Sequence, residues 1–260
     1  MINKYYPKEY LKIKNIYTLL KQTTLCIVSG DLGSGKTTLI EQILSASFNK
    51  NRVIKVKNII NDIDIYNSLK EAVDAYGNAE NILVNPSIDV IYSRQIINNF
   101  INMCQSNPKS IVFFGDLAEY DNVKIFKAIY ETIKLLIYLH PDLNLFIILE
   151  CSKNCLSADT RDIYYDLRAL TTQDNLIELP KLSQASLIGY FKSLFYENIN
   201  ISEHMIVRLC KSAFSNLLYI KRYVEYLKDI NVIYFRNGTW YCEMCIRDSY
   251  YTIWNIQYPV

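Results

Sequence analysis

The stretch Gly30-Asp31-Leu32-Gly33-Ser34-Gly35-Lys36-Thr37 decides the fold of this chain. It has the spacing G-x-x-x-x-G-K-T, and it holds three of the seven glycines in the sequence. The preceding residues 24–29 are apolar and β-prone, which predicts a short buried strand. Apolar residues recur at helical spacing over residues 38–44, which predicts a helix. A strand, a glycine-rich loop and a helix in this order are the context that gives the spacing a chemical meaning.

The residue types of this loop suit the binding of a triphosphate. Glycines leave the backbone N–H groups of residues 33–38 unobstructed, and the start of the helix adds a positive partial charge. Lys36 can reach the β and γ phosphates, and the Thr37 hydroxyl can ligate Mg²⁺. We therefore expect nucleotide to be bound by Gly30, Gly33, Ser34, Gly35, Lys36, Thr37 and Thr38.

A second segment places acids after an apolar strand. Residues 110–114 read Ser-Ile-Val-Phe-Phe, and Gly115 and Asp116 follow. A carboxylate at this position can hold Mg²⁺, while a neighbouring one orients the attacking water. Asp116 is the candidate for the metal-side carboxylate, and Glu119 or Asp121 for its catalytic partner. The alternative is that Asp116 only caps the next helix.

Strand and helix patterns alternate along the first 180 residues. Strand patterns cover residues 52–56, 110–114 and 145–149. Helical patterns cover residues 10–20, 63–76, 91–104 and 123–139. This alternation predicts an α/β fold in which a parallel sheet carries helices on both faces. Ligands of such sheets bind at the carboxyl ends of the strands.

The remaining residues differ in pattern. Three short helical patterns cover 184–196, 202–212 and 217–227, with Ser183 and Ser202 as expected caps. Residues 232–241 place Asn-Gly between β-prone arms, which predicts a hairpin. We expect a core over 1–180, a small helical lid over 181–230, and a hairpin with a tail over 231–260.

These segments resemble the AAA+-like and STAND-type ATPases, a branch of the P-loop NTPases with an extra strand between the phosphate loop and the acidic strand. The resemblance covers about residues 10–241. The family's acidic strand carries four apolar residues, two acids, and a third acid five positions after the first. Gly115 stands in place of the first acid, whereas Asp116 and Asp121 match the other two.

Three weaker correspondences concern the γ-phosphate and the lid. Residues 149–153 are similar to the strand end with the family's γ-phosphate sensor, so the resemblance implies that Ser152 and Lys153 contact nucleotide. Residues 175–183 look like the family's short strand and junction to the lid. Residues 213–220 stand where relatives have Gly-Asn-Pro, of which Asn216 is kept. The resemblance implies ATP and Mg²⁺ as ligands, and the lack of Asn-Lys-x-Asp also favours ATP over GTP.

Composition limits the classes of partner. The chain has 260 residues, 50% hydrophobic content and 28 basic against 26 acidic residues, so no strong field attracts nucleic acid or an anionic membrane. No signal peptide or membrane-length apolar run is visible, which predicts a cytoplasmic protein. We expect a protein partner or self-association, and charge does not support nucleic acid. The seven scattered cysteines are typical of reduced thiols, and Cys242-x-x-Cys245 lacks the second ligand pair of a zinc site.

The last residues have a separate origin in our interpretation. Residues 244–249 read Met-Cys-Ile-Arg-Asp-Ser. They are the translation of a nucleotide sequence that resembles the transposon adaptor used in preparing sequencing libraries. We expect residues 244–260 to be an artefact that contributes little to the core of the fold. The alternative is an ordinary C-terminal tail.

Together these features predict an ATP-binding regulatory ATPase whose nucleotide state switches partner interactions. Hydrolysis is expected to be slow, because Gly115 lacks the carboxylate of the acidic strand. Two alternatives stay open. One is a non-hydrolysing, nucleotide-dependent interaction module, and the other is a DNA-associated initiator or loader, which a basic winged helix further along the chain would distinguish.

Overall fold

The computed structural model of the protein describes residues 7–11, 25–47, 52–56, 59, 62–76, 90–105, 109–117, 122–140, 142–195 and 198–243. The predicted helix over 10–20 beyond Leu11 and the tail over 244–260 lie outside these residues. The chain divides into two compact units. One is Lys12–Pro180, and the other joins Met1–Leu11 to Lys181–Val260.

Five parallel strands form the sheet of the Lys12–Pro180 unit. They are β1 (Leu25–Ser29), β2 (Arg52–Val56), β3 (Ser110–Asp116), β4 (Leu145–Cys151) and β5 (Leu176–Glu178), in the spatial order β2-β3-β4-β1-β5. Strand β4 lies between β1 and β3, as the resemblance implies for the extra strand. Every residue of β1, β3 and β4 is buried, as is typical of a parallel sheet with both faces covered.

Helices cover both faces of this sheet. They are α2 (Lys36–Ser47), α3 (Asp62–Tyr76), α4 (Val90–Gln105), α5 (Val123–Leu139) and α6 (Ala158–Ala169). The connection from β1 to β2 runs one way along the sheet, and the later connections run the other way. Because parallel crossovers are right-handed, α2 lies on one face and α3 to α6 lie on the other. The predicted α/β fold class is confirmed. None of the described helices combines the length and apolar character that a membrane span requires.

The main apolar core lies between the sheet and helices α3 to α6. Ile27, Phe114 and Ile147 on neighbouring strands meet Phe100 and Phe126 on the helices, and all five side chains are buried. Each large side chain of this kind stabilises the fold by about 1.5–3 kcal/mol. The core therefore holds the strand ends in fixed positions.

The second unit is mainly helical. It contains α1 (Lys8–Leu11), α7 (Gln184–Ser193), α8 (Glu203–Ser212), α9 (Leu217–Asp229) and a sheet in the order β6-β8-β7, formed by β6 (Asn198–Asn200), β7 (Ile233–Arg236) and β8 (Thr239–Cys242). Ser183 and Ser202 cap α7 and α8 at the expected positions. Asn237 and Gly238 turn the β7–β8 hairpin with φ of 49° and 75°, as an Asn-Gly turn requires. The helical C-terminal region of the predicted fold is therefore present.

Glu9 joins α1 to the start of α7. Its carboxylate accepts hydrogen bonds from Ser183 N at 2.9 Å and Ser186 Oγ at 2.5 Å. Desolvation alone would raise the pKa of Glu9, but these hydrogen bonds outweigh it and lower the pKa from its ordinary 4.5 to about 2. Helix α1 thus groups with the helical unit, whereas the sequence predicts a core over residues 1–180. The domain boundaries stay a prediction.

Candidate functional site

The loop between β1 and α2 depends on its glycines. Gly33 and Gly35 have φ of 73° and 93°, a region that side chains with a Cβ rarely adopt. At Gly30 an added Cβ would lie 3.0 Å from Ser34 Oγ and 3.2 Å from Leu179 Cβ, which is too close without a shift of the neighbours. Helix α2 begins at Lys36, and its first turn carries no acidic residue. The loop therefore presents backbone N–H groups at a helix start, as anion binding requires.

Lys36 is a buried charge at the end of this loop, with 2% of its surface exposed. Its Nζ donates to Ser152 Oγ at 2.6 Å and to the carbonyl oxygen of Asp31 at 3.0 Å. Asp116 Oδ2 lies 3.3 Å from the same Nζ. A buried ammonium needs such partners, because desolvation of an unpaired charge is costly.

Ser152 connects Lys36 to Asp116. Its backbone N–H donates to Asp116 Oδ1 at 2.8 Å, and its hydroxyl donates to Asp116 Oδ2. Both residues are buried, Asp116 at the end of β3 and Ser152 directly after β4. The N-cap of α5 is Asn122, whose side chain accepts from Lys124 N. Three residues named from the sequence thus meet at one point, and capping of α5 belongs to a different residue.

Glu150 is a second carboxylate at this edge of the sheet. It lies on β4 with 1% of its surface exposed, and its Oε1 accepts a hydrogen bond from Thr37 Oγ1 at 2.6 Å. Glu150 is not among the site residues predicted from the sequence. Its position as an acid at the end of a buried apolar run is the same signal that selected Asp116.

A β-bulge brings the two carboxylates side by side. Phe114 pairs with Leu149, but the register shifts after it, so that Asp116 rather than Gly115 pairs with Glu150. Bulges near active sites commonly redirect a side chain, and glycine at the extra position adds no steric cost. The bulge thus moves Asp116 into the register position that Gly115 would otherwise occupy.

The other predicted site residues have varied positions. Ser34 lies in the loop, where its N–H donates to the carbonyl of Asp31 at 3.1 Å, and Thr38 is exposed in the first turn of α2. The backbone of Lys153 begins a 3₁₀ turn over Lys153–Cys155. Glu119 and Asp121 lie outside the described residues, so their catalytic assignment stays a prediction.

Asn154 ties this 3₁₀ turn to the phosphate loop. Its Nδ2 donates to Asp31 Oδ1 at 2.6 Å. The carbonyl of Asp31 also receives Lys36, so the same loop residue contacts the turn and the buried ammonium. A movement of the turn after β4 would therefore displace Asp31 in the loop.

The thiol beside the site is unsuited to nucleophilic chemistry. Burial, together with the charge of Asp116, raises the pKa of Cys151 to about 12, and Lys36 offsets only part of this. The thiol therefore stays protonated at neutral pH. All six cysteines in the described part of the chain are free thiols, as predicted for them, and Cys245 lies outside it.

The donors at the site fit a hard cation that also binds phosphate. No group of three or more His, Cys, Asp or Glu side chains that could hold a metal by itself occurs within the described ranges. A Mg²⁺ ion bound with nucleotide needs fewer protein ligands, since phosphates and waters complete its shell. The Thr37 hydroxyl and the carboxylates of Glu150 and Asp116 are oxygen donors of the required type.

Comparisons with known proteins agree with this geometry. The family model for the CobW/HypB/UreG nucleotide-binding domain matches residues 24–85, which include the loop and α2. No curated protein matches the chain. A Walker-type ATPase of Pyrococcus abyssi has a similar structure, with a TM-score of 0.56 and 14% identity over 86% of this chain and 68% of that one.

Two further solved structures are more distant. The RuvB Holliday junction branch migration motor of Thermotoga maritima has a TM-score of 0.48 and 14% identity, over 85% of this chain and 62% of that one. The ORC2 protein of Aeropyrum pernix has a TM-score of 0.47 and 12% identity, over 86% of this chain and 70% of that one. The chain thus spans 62% to 70% of the three structures' lengths.

The fold and the loop define the class of the protein. The chain has the P-loop NTPase fold, with a phosphate-type loop between β1 and α2 at the carboxyl edge of a parallel sheet. This confirms the P-loop NTPase fold that the sequence predicts. A likeness at 14% identity extends to the fold and no further.

Proposed function

We propose that the chain binds ATP with Mg²⁺ at the loop and acts as an AAA+/STAND-like regulatory ATPase with slow hydrolysis. One observation carries this proposal. Lys36, buried at the start of α2, meets Asp116 and Ser152 where β3 and β4 end. The matched family model is described as a nucleotide-binding domain, which supports nucleotide as the ligand.

Phosphate recognition follows from the loop and Lys36. The N–H groups of residues 33–38 and the start of α2 attract phosphate oxygens. Lys36 supplies the positive charge, and its present partners are one carbonyl, one hydroxyl and one carboxylate. A bound phosphate would compete for these contacts, so nucleotide binding and the Lys36 network are coupled.

Thr37 and Asp116 are the residues we propose for the metal shell. Mg²⁺ bound here would neutralise charge on the phosphates during transfer to water. Thr37 is an exposed residue at the start of α2, and Asp116 holds its carboxylate beside Lys36. Glu119 and Asp121 are the proposed groups for orienting water.

Ser152 is the proposed reporter of the γ-phosphate, with Lys153 as a second candidate. Ser152 contacts both Lys36 and Asp116, and two residues later Asn154 contacts Asp31 in the loop. A phosphate that displaces the Ser152 hydroxyl from Lys36 would therefore shift the turn after β4. We propose that this shift changes how the protein contacts a protein partner or another copy of itself.

A non-hydrolysing interaction module is the second candidate function. It is favoured by the observation that Asp116 is paired with Lys36 and Ser152, while Gly115 has no carboxylate. A carboxylate held in these contacts is less available to a catalytic metal ion. In this case ATP would order the loop without being consumed.

Calorimetric titration of the protein with Mg·ATP, followed by a phosphate-release assay, tests both candidates. We expect binding of ATP and slow release of phosphate, and Asp116→Asn should weaken the Mg²⁺-dependent part of the affinity. Binding without any phosphate release would favour the interaction module. Absence of binding to ATP would overturn the proposed function, and rapid release unaffected by Asp116→Asn would overturn the role of Asp116.

A further inference from the structure

The two carboxylates at the end of the sheet have different partners. Asp116 faces Lys36 and Ser152, whereas Glu150 accepts the hydrogen bond of Thr37. Both are buried, and they pair with each other in the register of β3 and β4. Asp116 therefore contacts the lysine of the loop, and Glu150 contacts the threonine.

The contact between Thr37 and Glu150 determines which way the hydroxyl points. A hydroxyl has one hydrogen to donate and two lone pairs that accept. When Thr37 Oγ1 donates its hydrogen to Glu150 Oε1 at 2.6 Å, its lone pairs are left to face other groups. A metal ligand must offer a lone pair, so Glu150 orients the hydroxyl for ligation.

The charge of Glu150 acts in the same direction. A buried carboxylate beside the ligating hydroxyl adds negative charge close to the proposed cation, and the burial of Glu150 reduces the screening of this charge by water. Groups that hydrogen-bond to a metal ligand typically change metal affinity about 10–100-fold when they are removed.

From this geometry we infer that Glu150, on β4, is a positioning residue for Mg²⁺, beside Asp116, which the bulge places in the register position of Gly115. The inference rests on the proposed function, because Mg²⁺ enters the site with a nucleotide. Glu150 acts through Thr37 and does not itself need to touch the nucleotide. Glu150 thus acts on the side of the proposed metal ion that faces Thr37, and Asp116 stays beside Lys36.

Glu178 provides a matched control for Glu150. Strands β4 and β5 flank β1, with Glu150 opposite Val28 and Glu178 opposite Ser29. Glu178 is exposed, whereas Glu150 is buried against Thr37. A change of Glu178 to Gln thus removes the same charge within one residue of the same level of the sheet, on the other side of the loop strand.

The experiment compares ADP binding with and without Mg²⁺ by calorimetry, for the wild type, Glu150→Gln and Glu178→Gln. We expect Mg²⁺ to strengthen binding to the wild type and to Glu178→Gln. In Glu150→Gln this gain should fall by about tenfold or more. Binding of metal-free ADP should change little, which distinguishes positioning of the metal from a general loss of structure.

Several outcomes would overturn the inference. If Mg²⁺ increases the ADP affinity of Glu150→Gln as much as that of the wild type, the inference is overturned and the proposed function stays intact. The same holds if Glu150→Gln loses ADP affinity equally with and without Mg²⁺. Failure of the wild type to bind ADP under both conditions would overturn the proposed function together with the inference. If Glu150→Gln does not fold, Glu150→Asp keeps the buried charge but is one methylene too short for Thr37, and a full gain from Mg²⁺ in that variant would also overturn the inference.

Discussion

The carboxyl edge of the parallel sheet and the helical unit place their polar side chains in opposite ways. At the sheet edge, Lys36, Asp116 and Ser152 are buried and contact each other across 36 to 116 residues of chain. In the helical unit, Ser202 and Asn216 are the N-caps of α8 and α9. Their side chains accept hydrogen bonds from backbone N–H groups two or three residues further along the chain. The network at the sheet edge depends on the whole fold, whereas these helix caps depend on their local sequence.

This difference has an energetic consequence. Buried charges that share partners fail together, because removal of one leaves the others desolvated and unpaired. Exposed caps fail singly, because water replaces much of the lost hydrogen bond. We therefore expect large, non-additive effects at the sheet edge and small, additive effects in the helical unit.

The largest effect is expected from Lys36→Met. It leaves the Asp116 carboxylate buried without its ammonium partner, which should lower the free energy of unfolding by about 3–5 kcal/mol. The double variant Lys36→Met/Asp116→Asn removes both charges and should recover much of this loss. Urea unfolding followed by circular dichroism measures both. A single variant as stable as the wild type would show that the two charges are not coupled.

A smaller loss is expected from Ser152→Ala. The hydroxyl between Lys36 and Asp116 disappears, and its buried partners lose a hydrogen bond, at a cost of about 1–3 kcal/mol. Ser45→Ala is the control, because Ser45 is exposed and bonds only locally to the carbonyl of Gln42. The same unfolding assay applies. Equal effects of the two substitutions would remove the distinction between the buried network and the surface.

In the helical unit, Asn216→Ala should cost about 1 kcal/mol. The Asn216 side chain accepts from Leu218 N at 3.0 Å and Tyr219 N at 3.2 Å at the start of α9. Arg222→Ala, an exposed position within α9, should stay within about 0.5 kcal/mol of the wild type. Thermal melting of both variants provides the comparison. A loss as large as that of Lys36→Met would contradict the local character of this region.

The effect of Glu9 on stability should depend on pH. Hydrogen bonds lower the pKa of this carboxyl from 4.5 to about 2, so its stabilisation is fully present above pH 4.5 and is lost as the pH falls towards 2. The difference in unfolding free energy between the wild type and Glu9→Gln should therefore shrink on acidification. Unfolding of both proteins across this pH range provides the measurement. A difference that grows at low pH would reverse the assigned sign.

Local pattern was enough to predict most elements of the fold. Helix α5 begins at Val123 and ends at Leu139 as predicted, because its apolar face is continuous and Asn122 caps it. Helix α6 was not predicted, since only Thr160, Tyr164 and Leu167 are buried in an otherwise polar segment. Ser157, which caps the start of α6, is the sequence feature that could have predicted this helix.

The site was predictable in part, for a physical reason. The loop spacing identified Lys36 and Thr37, and an acid after an apolar strand identified Asp116. The partnership of Thr37 with Glu150 joins residues 113 positions apart, and it depends on the strand order and on the bulge at Gly115. Periodicity describes single elements and carries no information about which strand ends meet.

The most informative measurement is the affinity for Mg·ATP of the wild type, Lys36→Met/Asp116→Asn and the control Lys55→Met. Lys55 is an exposed lysine on β2, and the double variant removes both charges of the buried pair. We predict that the double variant loses at least one charged hydrogen bond to phosphate, about 1.5–3 kcal/mol or a tenfold to hundredfold weaker affinity. Lys55→Met should bind like the wild type. Equal affinity of all three folded proteins would contradict the assignment of the sheet edge as a nucleotide site.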